Sequence, residues 1–192
     1  FFPAELNSAL LKCERHLFDS ALVYAMRKGG AVIIGKTSLP ELGSGKPAVT
    51  CNPFDLDRSP GGSSSGSAAA VGAGMLPLAT GSQGRGSVLR PASFCGNVAF
   101  KPTFGALHSG GLLWRSPSYS TVGIHSSNII DCWRTAYHIA QTIGGDPGYP
   151  GLFGVADVSS FKPKRLIRLD TLGWNVTERG IQTRFLNFLS ML

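Results

Sequence analysis

Hydrophobic positions change their period several times along the chain. From Asp19 to Lys28, Leu22, Ala25 and Met26 share one helical side; Asp19 or Ser20 can cap the start, and Arg27, Lys28, Gly29 and Gly30 close the end. Ala31-Val32-Ile33-Ile34 is then an unbroken apolar run between glycines, which predicts a strand buried on both faces of a helix-covered sheet. Upstream, Asn7 to Arg15 has a short amphipathic pattern that suits a helix. Residues 36–60 are rich in proline and turn formers, predicting a long ordered loop with at most one short helix. Alanine-rich Gly66 to Gly74 predicts a helix whose small side chains allow close packing. Met75 to Thr80 predicts a strand that runs into a glycine-serine turn, Gly81 to Ser87, and Val88 to Phe94 a short helix with Pro91 in its first turn.

Past Cys95 a strand is expected at Asn97 to Lys101, and turns from Pro102 to Gly123. Asn128 to Ile143 predicts an amphipathic helix burying Ile129, Trp133, Ala136, Tyr137 and Ala140. Arg165 to Leu169 offers a short strand, and Glu178 to Leu192 a helix whose Phe185, Leu186, Phe188 and Leu189 need a surface to cover. No repeat or clear boundary divides the pattern, so a single domain is expected.

Composition narrows the class. With 43% hydrophobic and 15% charged residues the chain is no disordered polyelectrolyte. No apolar run approaches the roughly 18 residues of a membrane span. The opening FFPAELNSALL lacks a basic segment before a long apolar one, so no signal peptide is read and a cytoplasmic location is the expectation. Cys13, Cys51, Cys95 and Cys132 form no CxxC pair and have no histidine at ligand spacing, so neither a metal nor a disulfide framework is expected. The net charge of +7 is spread out, its densest cluster being Lys162, Lys164, Arg165 and Arg168, which fits a solvated surface better than nucleic-acid binding. Gly43-Ser44-Gly45-Lys46 fails as a phosphate loop, because Pro40 stands where a glycine is needed and Pro47 where a hydroxyl is needed.

Chemistry concentrates in Ser59 to Lys101, where Ser63 and Ser87 each sit in a glycine-rich turn. A serine hydroxyl attacks only when a base takes its proton, and the resulting oxyanion needs aimed donors. Gln83-Gly84-Arg85-Gly86-Ser87 offers consecutive backbone N–H groups for that purpose. None of His16, His108, His125 and His138 has a sequence context that supports it as the base, and there is no GxSxG elbow. On chemistry alone Ser64 or Ser65 could serve in place of Ser63, and GGSSSGS could also be a plain linker.

The stretch PGGSSSGSAAAVGAGMLPLATGSQGRGSVLRPASFCGNVAFKPTFG resembles the signature region of the amidase signature family. The match extends through AVIIGKTSLPELG and CNPFDLDRSPGG before it, and STVGIHSSNIIDCW and GGDP after it, about residues 19–150. The resemblance implies an α/β fold, a mixed β-sheet core surrounded by helices, with residues 1–192 forming a single partial domain of that kind. It implies hydrolysis of a small-molecule amide without cofactor: Ser87 as nucleophile, Ser63 as bridging serine after a cis peptide bond, and Gly84, Arg85 and Gly86 as the oxyanion turn. The family's third member is a lysine in an apolar strand upstream of GKT. Most of that region is missing here, and Lys12 is the one lysine in a similar setting, although closer to Asp19 than the family pattern has it. Two alternatives stand beside the amidase: a catalytically silent truncated homologue acting as a scaffold, and a glutamine-dependent aminoacyl-tRNA amidotransferase subunit. The latter ranks lower, because its turn usually has Asp where this chain has Gln83. No membrane partner is implied, and a homo-oligomer is compatible.

Overall fold

The computed structural model describes residues 5–11, 17–113, 116–160 and 162–192, which fall into two units, one ending at Val158 and one beginning at Ser159. In the first unit, α1 (Ala21–Lys28), α2 (Ser65–Gly72), β1 (Leu78–Gln83), α3 (Leu89–Phe94), β2 (Val98–Phe100), β3 (Thr121–Ser126) and α4 (Ile129–Ile143) build an antiparallel sheet of order β1-β3-β2 with helices on both faces. The α/β class is as expected, and the described strands are all antiparallel.

Strand alternation divides the sheet's duties. On one face, Val122 and Ile124 of β3 pack with Leu22 and Ala25 of α1 and with Cys132, Ala136, Ile139 and Ala140 of α4. The other face is lined by small residues, and there α2 and α3 approach closely: a methyl group at Gly81 would collide with Ser64, and one at Gly123 with Val88. Caps fix the helices on the core face. Ser20 Oγ accepts the Val23 N–H at 3.3 Å, Asn128 Oδ1 accepts the Asp131 N–H at 2.9 Å, and Gly144, at φ 70°, ends α4.

Several expectations shift. Val32 and Ile34 are 84% and 69% exposed, and Ala31 to Ile34 forms no strand among the described residues. An apolar run becomes a strand only beside a neighbour that satisfies its backbone. β1 starts at Leu78, not Met75, because the N–H groups of Met75 and Leu76 still bond back to Ala70 O. Thr121 to Ser126, expected to begin as a turn, is the central strand. α4 buries Cys132 and Ile139 in place of Ile129, which is 54% exposed, while Phe100 packs edge-on against Trp133 on its flank. Cys132 and Cys95 are buried and Cys51 is exposed; Cys13 lies outside the described residues.

In the second unit, α5 (Leu172–Asn175) and α6 (Arg179–Leu189) meet through Trp174 and Phe185, 5.5 Å between ring centroids. The Arg168 guanidinium stacks over Trp174 at 4.5 Å. Arg165 to Leu169 is not a strand; it finds no pairing partner among the described residues. No helix among the described residues is long and apolar enough to cross a membrane.

Candidate active site

The glycine-serine segments before α2 and after β1 are brought together by the fold. Gly61, at φ 77°, turns the chain over Pro91 of α3, where any side chain would strike the Pro91 backbone. The following Gly62–Ser63 peptide bond is cis. The Ser64 N–H then donates to the Ser87 carbonyl at 3.0 Å, joining the two turns through their backbones. A second tie crosses above it, from Arg90 Nη2 to the Gly62 carbonyl at 2.7 Å. Ser63 is buried, and Ser87 is half-buried.

The Ser63 side is braced from beneath by the loop around Thr37. Gly66 N–H and Ser65 Oγ both donate to the Ser38 carbonyl, at 2.9 and 3.3 Å, and a side chain at Gly66 would run into Ser38. Thr37 Oγ1 and Ser67 Oγ lie 2.7 Å apart, and Ser67 Oγ donates to Thr80 O of β1 at 2.7 Å. Pro40 is buried, 3.5 Å from where a Gly62 side chain would begin. Lys36, just before this loop, is exposed.

Of the expected oxyanion turn, Gly84 and Arg85 are exposed and Gly86 is half-buried. A methyl at Gly84 would meet the Tyr119 ring, which lies close against the glycine. Gly81 to Gln83 belong to β1, which shortens the turn to the residues after Gln83. The turn is closed by Gln83 itself: its buried Oε1 accepts the N–H groups of Val88 at 2.8 Å and Leu89 at 3.0 Å. Replacing Gln83 by leucine is expected to strand both donors and destabilise the protein by about 1–3 kcal/mol, with glutamate restoring most of it. The shift in urea unfolding midpoint measures this.

Lys12 lies outside the described residues. Sequence reasoning missed the role of the Gln83 side chain, Arg90 and the neighbourhood of His125. His125 is fully buried on β3; its Nδ1 is 3.1 Å from Asn97 Oδ1, and Asn97 Nδ2 donates to Ala68 O of α2 at 2.9 Å. Burial pushes this imidazole down to about 4. The only sequence signal for it was the alternation Val122, Ile124 that marks β3. Burial also raises the thiol pKa values of Cys95 and Cys132, the latter to about 11, which keeps them protonated and poorly nucleophilic. Among the described residues no group of three His, Cys, Asp or Glu side chains could hold a metal ion.

The layered sheet superposes on solved amide-hydrolysing enzymes, and the chain belongs to the amidase family, which it matches over residues 3–190. It is 39% identical over 176 residues to the A-subunit of the chloroplastic/mitochondrial glutamyl-tRNA(Gln) amidotransferase of Oryza sativa subsp. indica, covering 88% of this chain and 32% of the relative. The crystal structure of the glutamyl-tRNA(Gln) amidotransferase A-subunit from Thermotoga maritima superposes with a TM-score of 0.66 at 37% identity, covering 73% of this chain and 32% of that one. Peptide amidase bound to the competitive inhibitor chymostatin gives 0.60 at 33% identity, covering 69% and 29%. The chain thus spans about a third of the length of the curated relatives it matches. The rice relative is named for organelles, so the similarity does not single out the cytoplasm.

Proposed function

We propose that this chain carries the nucleophilic half of a serine amidase site. Ser87 Oγ attacks the carbonyl carbon of an amide, and its proton passes through the Ser63 hydroxyl to a neutral lysine, for which Lys12 is the candidate within the chain. Backbone N–H groups of Gly84, Arg85 and Gly86 receive the oxyanion. Collapse of the tetrahedral intermediate breaks the C–N bond and protonates the departing ammonia or amine. Water then cleaves the acyl ester, giving the acid and restoring Ser87.

The observation that carries this reading is the 3.0 Å bond from Ser64 N–H to Ser87 O, which holds the residue after Ser63 directly against the nucleophile's own backbone. A fluorophosphonate probe is expected to leave one adduct, on Ser87, by peptide mass spectrometry. Equal labelling of a Ser87→Ala variant overturns the assignment. A full chain that neither takes the probe nor hydrolyses any simple amide favours the silent scaffold instead.

A second reading, that of an amidotransferase component, is favoured by the names of the relatives at up to 41% identity. It uses the same serine chemistry within a larger assembly and delivers the released ammonia to charged tRNA. Glutaminase activity that rises when partner proteins and charged tRNA are added distinguishes it from a free-standing small-amide hydrolase.

A further inference from the structure

We propose that His125 is a positioning residue of the serine site, its Nε2 accepting a hydrogen bond from the Ser64 hydroxyl and so fixing the Gly62–Ser64 turn against Ser87. The proposal rests on the serine reading above for its catalytic consequence, and for the bond itself on the unpartnered Nε2 and the placement of both side chains beside Gly81.

The tautomer follows from the network. Ala68 O can only accept, so the Asn97 amide presents its NH2 to that carbonyl, at 2.9 Å, and its Oδ1 to His125 Nδ1, at 3.1 Å. Nδ1 therefore carries the ring proton, and Nε2 is a bare lone pair. That lone pair is fully buried and lacks a partner among the described residues, and such a group costs stability unless a donor reaches it. The donor at hand is Ser64. It occupies the N-cap of α2, where a serine side chain ordinarily accepts from the helix, yet its side chain makes no cap bond. Ser64 Oγ and His125 Nε2 both crowd the position that a Gly81 side chain would take, the latter at 3.4 Å from it. The Ser64 hydroxyl, for which no acceptor is seen among the described residues, and the buried His125 Nε2, which lacks a donor, thus border the same space that glycine leaves beside β1. The remaining groups of Ser64 and Asn97 anchor the pair: Ser64 N–H to Ser87 O, and Asn97 to α2. His125 in this way links the central strand to both serine turns.

Nitrogen-15 spectra of the histidine ring in the full chain test the bond without any activity. The expected result is an Nδ1–H tautomer whose Nε2 resonance moves toward that of an unbonded lone pair in Ser64→Ala, with Nδ1 unmoved. An Nε2 that carries the proton, or one indifferent to Ser64→Ala, overturns the proposal. For the catalytic consequence, Ser64→Ala and His125→Gln are each expected to slow probe acylation of Ser87 about tenfold, with the double variant no slower than either single one. Ser64→Thr, which keeps the hydroxyl, restores the rate. Fully additive losses overturn the coupling. If the wild-type chain does not acylate at Ser87, the amidase reading falls while the spectra still decide the bond.

Discussion

Ser63→Ala is expected to slow acylation of Ser87 about 10²–10⁴-fold, the range that a positioned proton-transfer group ordinarily supplies. Ser63 is buried at the end of the Gly61–Gly62 bend, and the bonds holding that bend belong to its neighbours: Ser64 N–H to Ser87 O and the Arg90 side chain to Gly62 O. Among the described residues the Ser63 hydroxyl itself has no hydrogen-bond partner in the resting site. Deleting it therefore removes the proposed proton path and leaves the scaffold in place. The expected signature is a fall in kcat for amide hydrolysis, or in the acylation rate with the phosphonate probe, while the thermal midpoint stays within a degree or so of wild type. An acylation rate within about a factor of two of wild type rejects the relay role, since a general acid–base group contributes far more than that. Ser65→Ala is the internal comparison: its hydroxyl is committed to Ser38 O, so it should cost stability more than rate.

The features that sequence alone could reach were those written in local chemistry. α1, α2, α3 and α4 came through because caps, alanine content and helical spacing are properties of neighbouring residues. What escaped depended on partners distant along the chain. Thr121 to Ser126 holds a glycine and a histidine and follows a turn-rich stretch, so its role as the central strand shows only when β1 and β2 lie on either side. Ala31 to Ile34 failed in the opposite sense, having the strand pattern but no neighbour to pair with among the described residues. The two serines were legible as a pair from their glycine-rich settings. Their support was not: Gln83 closes the Ser87 turn through its side chain, and Arg90 reaches back to Gly62, neither of which has a sequence spacing that announces it. His125 looked contextless because its surroundings come from elsewhere in the chain: Gly81 of the neighbouring strand, Ser64 and Asn97.

The same histidine sets an acid limit on the fold. In the unfolded chain its imidazole titrates near the ordinary value of 6.5, whereas burial in the folded protein holds it down to about 4. Above pH 6.5 both states keep the ring neutral, and the group makes no difference to stability with pH. As pH falls from 6.5 toward 4, the unfolded chain takes up a proton that the folded chain refuses, so unfolding becomes progressively easier; below about 4 both states are protonated and this slope ends. The shift corresponds to about 3 kcal/mol lost across that window. Urea unfolding at a series of pH values measures it, and His125→Gln isolates it, because His16, His108 and His138 are present in both proteins and cancel in the difference. The variant is expected to start less stable at pH 7.5, having lost the bond to Asn97, and then to lose less on acidification, so that the two curves converge toward pH 4. Parallel curves between pH 6.5 and 4 would mean that the folded protein protonates His125 as readily as the unfolded chain does, and the buried neutral ring on β3 would then be excluded.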